Sequence, residues 1–500
     1  MDGLTNRETL RTLNEPTPSL IAGYRWALHS VQAILVFAKG RTEQPSTECA
    51  GEELLQEESA ALLNAAAELL SGNPATVHDK RDKAGALLSA LGYASLDEDA
   101  KSKAATLLRV GGRLERVFQL AAPQAPGLWF FGGEADPACL GLSGTPIPKA
   151  SLAGSGLELH KALEACLGEG AEFLSQVERE TDVVHSGAPS VVDHRLDEGH
   201  LAALRRRLDP APDDTPSIDW IAARHFGHDD HVLLPADLVL RRSSLPDRPK
   251  PLVKLGLGCS AGPTLDQAIL GAVLELVERD ATALWWNGGH RPRPVDARVL
   301  QQASMQELID RVRAGDRSRT TWFLDISSDI DVTVIAAVSL EADGFGFAFG
   351  LSAQLDPVIA VKKAFMELCQ TELAYHIVDM KRRERGAPAL NDADRIHLDR
   401  RGWTGARHSS RLRPMGRPHE RDTRPAQTSQ SQLAWLDVAL HKAGTTVFWV
   451  DLTRPDLGIP TVWAGSPQLQ PLPAKIATKR LSNSSNFGIV GSEKIPFELL

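Results

Sequence analysis

Three stretches of this 500-residue chain carry polar residues three positions apart where apolar spacing predicts a helix. They are Glu169 and Glu172 in LELHKALEACLGEGAEFL (157–174), Glu275 and Glu278 in TLDQAILGAVLELVERDA (264–281), and Glu367 and Gln370 in DPVIAVKKAFMELCQTEL (356–373). Residues three apart share one helix face. Two carboxylates on one apolar face repel each other and are costly to bury without a partner. A single such pair is ordinary surface decoration, but three pairs imply a shared purpose. If the helices converge, the oxygens meet, and a divalent cation relieves the crowding. Oxygen donors without His or Cys suit Mg2+ rather than zinc, and Mg2+ commonly bridges to phosphates. The residues thus point to a Mg–nucleotide site built from helix faces.

The elements that would position these acids are legible around them. One and two turns upstream, the same sides carry small residues: Ala162, Ala165 and Cys166; Ala268, Gly271 and Ala272; Ala360 and Ala364, with Lys363 between. Small side chains admit close approach of a backbone or a ligand. Thr264 and Gln267 have capping-box spacing, and Asp356-Pro357 reads as an N-cap followed by proline in the first turn. Two glycine-rich stretches, SLAGSG (151–156) and KLGLGCSAG (254–262), precede two of the helices and are expected as turns whose amides face phosphates. The second has GxGxxxG spacing without a following acidic ribose ligand, so a dinucleotide fold is disfavoured. No GxxxxGK[ST] loop occurs.

Around this centre the chain is ordinary for a globular protein, with 42% hydrophobic and 24% charged residues. Its net charge of −9 gives no global footprint for nucleic acid or membrane. Five scattered cysteines form no disulfide framework or metal pattern, which fits a reducing cytoplasm. No signal peptide is apparent, and the early run AILVFA (33–38) is too short to span a bilayer.

Residues 1–125 read as a mostly helical interaction domain, from segments such as EELLQEESAALLNAAAELLSG (52–72) and KSKAATLLRVGGRLERVFQLAA (101–122). From 126 to 500 the texture is mixed α/β (α+β). VTVIAAVSLE (332–341) and TTVFWVDL (445–452) are strand-rich, and HVLLPADLVL (231–240) reads as a strand broken by a turn. Residues 381–432, rich in Arg, Pro, Ser and Gln, are expected as a long exposed basic loop.

Three segments resemble the YcaO family: GLGCSAGPTLDQAILGAVLELVERDATALWW (256–286), SLAGSGLELHKALEACLGEGAEF (151–173) and GLSAQLDPVIAVKKAFMELCQ (350–370). Their order and spacing match over roughly 126–470. The resemblance implies a YcaO-type ATP-binding fold with ATP and Mg2+ as cofactors. It implies metal and nucleotide ligands at Glu169, Glu172, Glu275, Glu278, Glu367 and Gln370. Ser151 and Gly154 would flank the nucleotide, with Ser155 and Arg279 beside it. No catalytic residue is assigned. The chain departs from the family at Ser155, where Lys is usual, and at Phe173 and Glu372, where Arg is usual. Gly256-Leu257 replaces a common Ser-Asn, Trp463 stands near a usual Arg, and the ending KIPFELL is not proline-rich.

The activity so implied is phosphorylation of a peptide backbone amide, followed by attack of Cys, Ser or Thr to give azolines (thiazole or oxazole precursors, as in bacteriocin biosynthesis). Attack by sulfide or an amine would instead give thioamides or amidines. The expected partners are a precursor peptide, a separate leader-binding protein, a flavin dehydrogenase for any azole formation, and a second copy in a homodimer. A non-catalytic scaffold is the alternative from another class, because the acids are kept while several family bases are replaced.

Overall fold

A computed structural model describes residues 50–72, 80–141, 147–182, 184–187, 198–209, 218–243, 248–403, 405–419, 428–484 and 499. Three helices come first: α1 (Ala50–Leu70), α2 (Arg81–Ala90) and α3 (Glu98–Gly111). The Asp97 side chain caps α3 by accepting from the Ala100 amide. Then follow strands β1 (Arg116–Leu120), β2 (Trp129–Ala135) and β3 (Ala150–Gly156), and helix α4 (Leu159–Gln176). Next come β4 (Val184–Gly187), β5 (Ile218–His225), β6 (His231–Pro235) and β7 (Cys259–Ala261), leading into α5 (Leu265–Trp286). Helix α6 (Met305–Arg313) precedes β8 (Arg319–Asp325), β9 (Thr333–Glu341) and β10 (Ala348–Gln354). The long helix α7 (Pro357–Arg385) is followed by α8 (Asp392–Arg401), α9 (Ser429–Lys442), β11 (Phe448–Asp451) and β12 (Thr461–Gly465).

The strands form antiparallel sheets. One is β1-β2-β3. A second runs from the two-residue strand Arg293–Pro294 through β8, β9 and β10. A third has the order β4-β5-β11-β12-β7, with β6 also paired to β5. Strand β9 is buried from Thr333 to Leu340, as its Val- and Ala-rich sequence requires. One of its faces meets a core containing Trp285, Trp286, Phe347 and Phe349, and the other meets α7 through Ala360, Ala364 and Phe365.

Three expectations need correction. Helical spacing over 101–122 is not realised: α3 stops at Gly111 and Arg116–Leu120 is a strand. Consecutive glycines at 111 and 112 weaken a helix, and RVFQL pairs readily with β2. The last helix of this N-terminal unit thus ends at Gly111. The unit's Leu63, Leu87 and Leu108 share one core with Phe131 and Leu167; residues 1–49 lie outside the described residues.

Nor is 381–432 one long loop. Helix α7 runs on to Arg385, and Asn391 and Asp394 form a capping box at the start of α8. Lys381 pairs with Asp394 at 2.9 Å, and Trp403 and Leu412 are buried. These few apolar anchors are too widely spaced to give a periodic pattern. Residues 413–419 are exposed as expected, and 404 and 420–427 lie outside the description.

Finally, SLAGSG is no turn but strand β3. A Cβ at Gly154 would lie 2.3 Å from the Ala162 carbonyl oxygen, so this glycine lets the strand lie directly on α4.

Candidate active site

The three expected helices, α4, α5 and α7, each follow a strand or strand edge that lies on their small-residue side. The first acid of each pair accepts a hydrogen bond from the strand preceding its own helix or, for Glu275, from the residue leading into that strand. Glu169 accepts from the Ala153 amide at 2.8 Å, Glu275 from Gly258 at 3.1 Å, and Glu367 from Leu351 at 2.8 Å. These contacts span 16, 17 and 16 residues, which is one repeated local unit.

The second member of each pair reaches the strand of the next unit. Glu172 on α4 accepts from Ala261 of β7 at 2.8 Å. Glu278 on α5 accepts from Ala353 of β10 at 3.0 Å. Gln370 on α7 donates its Nε2 to Ser155 Oγ of β3 at 2.8 Å. The last contact returns to the first strand, so the units form a closed ring with approximate threefold character. All six pair residues lie on it. The glycine-stretch amides thus face carboxylates, where phosphates were expected.

Each of the five carboxylates has one oxygen held by a backbone amide. That fixes the rotamer; the second oxygen of Glu275 and of Glu278 meets Arg279, and no bond holds the second oxygen of Glu169, Glu172 or Glu367 among the described residues. Burial raises the Glu172 carboxyl well above its usual range, and Glu169 and Glu275 add to the rise. Burial also raises Glu275, with Glu278 contributing. Glu367 is pushed up to about 8 by burial and by Glu278. Glu169 is pushed up to about 7 by its protein surroundings and by Glu275, although its side chain still reaches solvent. The ring therefore holds more negative charge than its surroundings stabilise.

Arg279 is the cation of this centre. Its Nη2 lies 3.2 Å from Glu275 Oε1, and its Nη1 lies 3.3 Å from Glu278 Oε1. Nη1 is buried without a hydrogen-bond partner. A guanidinium nitrogen that is ion-paired but makes no hydrogen bond, close to the unpaired oxygens of Glu169, Glu172 and Glu367 on the same ring, fits a phosphate with its cation. Among the described residues, no three His, Cys, Asp or Glu side chains converge closely enough to hold a metal by themselves. The oxygens fit Mg2+ that keeps waters and shares phosphate oxygens, rather than an all-protein cage.

The remaining expected residues take different places. Ser151 is exposed on the same strand face as Ala153 and Ser155, and Gly154 is buried against α4. Glu372 turns away from the ring. It is buried between α7 and the second sheet, where Arg313, Arg319 and Ser339 all bond it. It thus belongs to the core and is not a repulsive charge facing the cleft. Trp463 is buried in β12. In the ending KIPFELL only Leu499 is described, and Arg400 bonds its carbonyl.

Sequence reading missed Arg241. Its guanidinium stacks 4.7 Å from the centre of the Phe173 ring, and its Nε is buried without a hydrogen-bond partner. Nothing in the local sequence marks it, because the contact joins α4 to a segment more than sixty residues on. Lys254 and Lys363 are the other nearby cations. Both are exposed, yet the surrounding protein lowers both; Arg279 lowers Lys254 further, while Glu278 partly offsets the shift of Lys363.

The antiparallel α/β scaffold thus carries a ring of amide-anchored acids whose oxygens and neighbouring guanidinium suit a hard cation and an oxyanion. The profile of the YcaO cyclodehydratases, described as ATP- and Mg2+-binding, matches residues 153–470, and the chain belongs to this family. The match contains the whole ring. An uncharacterised protein of Methanothermobacter thermautotrophicus is 25% identical over 331 residues, 64% of this chain and 81% of that protein. Among solved structures, a heterocyclase in complex with substrate and cofactor superimposes with a TM-score of 0.59 at 20% identity. That match covers 74% of this chain, which spans about half (52%) of that heterocyclase. The E. coli microcin synthetase McbBCD complex gives a TM-score of 0.50 at 14% identity, covering 71% of this chain and 88% of that one. No helix among the described residues is long and apolar enough to cross a membrane.

Proposed function

We propose that the protein activates a backbone amide oxygen of a precursor peptide by ATP-dependent phosphorylation, and that a Cys, Ser or Thr side chain of the peptide then closes an azoline ring. The closed ring of five anchored carboxylates carries this reading. The carboxylates of Glu169, Glu172, Glu275, Glu278 and Glu367, with Gln370, would hold Mg2+ and the nucleotide, with Arg279 moving from Glu275 and Glu278 to phosphate. Arg279 and Arg241 would contact phosphate, and Ser151, Gly154 and Ser155 would border the nucleotide. Bound Mg–ATP would supply the phosphoryl group, so that loss of one water from the peptide accompanies conversion of ATP to ADP and phosphate.

The chain's own contribution is placement. Anchored rotamers hold the unpaired oxygens of Glu169, Glu172 and Glu367 ready, which is how preorganised electrostatics lowers a barrier. The ring occupies three helices, and the peptide would come from a partner that binds its leader. The microcin synthetase complex, which has also been solved with pro-MccB17 bound, supports such an assembly. The deciding experiment incubates the protein with ATP, Mg2+, a precursor peptide and its partner. One water lost per ATP consumed is expected. A mass gain corresponding to oxygen-for-sulfur exchange would instead identify sulfide as the nucleophile, with the same activation step.

One observation favours a second reading, a scaffold without turnover. Arg279 already pairs with both acids of α5, which a metal would otherwise use. Calorimetry separates the two. Mg-dependent ATP binding that is lost in Glu275→Ala supports the enzyme, and absence of binding supports the scaffold.

A further inference from the structure

Strand β8 pairs along its whole length, Arg319 to Asp325, with β9. On its other side, among the described residues, only Leu324 and Asp325 are paired, to Pro294 and Arg293. Residues 319–323 are therefore a sheet edge. A cavity of about 570 Å³ runs beside it, lined by Thr321, Trp322, Phe323, Pro294, Met305 and Pro414 among others. Successive strand side chains point to opposite faces. Three consecutive residues reaching one cavity place that cavity along the edge, not against a face.

Burial agrees with this geometry. Paired Leu324 and Asp325 are buried, Thr321 to Phe323 are half-buried, and Thr320 is exposed. Proteins usually blunt such an edge with Lys, Pro, a bulge or a covering element. Here Thr320, Thr321, Trp322 and Phe323 are strong strand formers. The charge of Arg319 turns to Glu372 at 3.0 Å and Glu341 at 3.2 Å. Met415, next to Pro414, is 61% exposed.

A basic group flanks one end. Arg291 donates to the Ser410 carbonyl at 2.8 Å, Arg293 meets His419 Nδ1, and Arg413 donates to the Arg407 carbonyl at 3.3 Å. All three are exposed, and these partners leave their charge without a carboxylate among the described residues. Glu307 lines the cavity as well.

We propose that this edge docks an extended peptide segment, which adds as a strand beside β8, places alternate apolar side chains in the cavity and sets acidic residues against Arg291, Arg293 and Arg413. Main-chain bonds would supply affinity and the pocket and charge would supply selectivity, as in strand addition generally. The inference does not depend on nucleotide binding.

The test uses the full chain without nucleotide and two fluorescent synthetic peptides of about eight residues, an ordinary strand length. One alternates Val and Glu, and the other alternates Val and Lys. The acidic peptide is expected to bind at least about tenfold more tightly, and to weaken with salt. The exposed double variant Arg293→Glu/Arg413→Glu is expected to abolish that preference. Amide exchange at residues 319–323 should slow on binding. Equal binding of both peptides, no binding, or binding without protection of 319–323 overturns the proposal. So does a dimer of the chain alone whose dissociation unmasks this edge, which would make a second copy the occupant.

Discussion

Gln370 and Ser155 stand 215 residues apart and share a 2.8 Å hydrogen bond that joins helix α7 to strand β3. It is the one ring contact made between two neutral side chains. Ser155→Ala leaves the Gln370 amide without this acceptor at a half-buried position. A loss of about 1 kcal/mol is expected, from denaturant titration. Because the bond also positions Gln370, the KM for ATP should rise in the same variant. An unchanged KM would make the contact structural only.

Carboxylates anchored by amides can lose charge without losing the anchor. In Glu367→Gln the side-chain oxygen still accepts from Leu351, while the charge pushed up to about 8 is gone. The expected outcome above pH 8 is a metal-free protein that melts no lower than the parent but binds Mg–ATP about 10- to 100-fold more weakly, as for loss of a charge-assisted contact. A thermal melt and calorimetry check the two halves separately.

The ring also predicts a pH dependence. Glu169 and Glu367 hold their protons to about 7 and about 8 in the fold, against 4.5 ordinarily. Over that interval the folded state binds more protons than the unfolded chain, so stability falls as pH rises. The contribution of these groups is fully present below pH 4.5 and is lost as pH rises through about 8. Mg2+ favours the ionised acids, so added Mg–ATP should release protons on binding and flatten the decline. A melt that rises steadily from pH 5 to 8 without metal would contradict this.

Arg241 offers a test of the phosphate side. Arg241→Ala removes a guanidinium with a buried unpaired nitrogen, and should raise KM for ATP about tenfold or more. Arg241→Lys keeps the charge but not the planar stacking on Phe173, and should fall between the two. Equal KM values in all three would place Arg241 in packing alone.

Glu372 should behave oppositely to the ring acids. Glu372→Ala strands Arg313 and Arg319 in the core, which costs about 3–5 kcal/mol for a buried pair. Reduced folded yield is expected, with Mg–ATP affinity unchanged in the folded fraction.

The i, i+3 spacing made the helix faces of Glu169/Glu172, Glu275/Glu278 and Glu367/Gln370 legible, because helical geometry depends only on local sequence. The Val-rich β9 was legible for a similar reason. The anchors were not, since Ala261 and Ala353 donate backbone amides that carry no side-chain mark and come from distant segments. Glu372 read only as a departure from the family's usual Arg, because its partners, Arg313 and Arg319, meet it only after the sheet packs on α7. Strand β1 was hidden behind α3, whose apolar period runs into it across two glycines.

A chain has a first unit and a last one, but the ring of contacts has neither. β3–α4, β7–α5 and β10–α7 each hold the next in the same sense, and Ser155 receives from the third unit the link that Ala261 receives from the first. The neighbour relations at the centre would be unchanged by any rotation of the order in which the units are strung. Circular permutants with new termini in the outer connections should therefore rebuild the same acidic centre, provided the rest of the chain can follow.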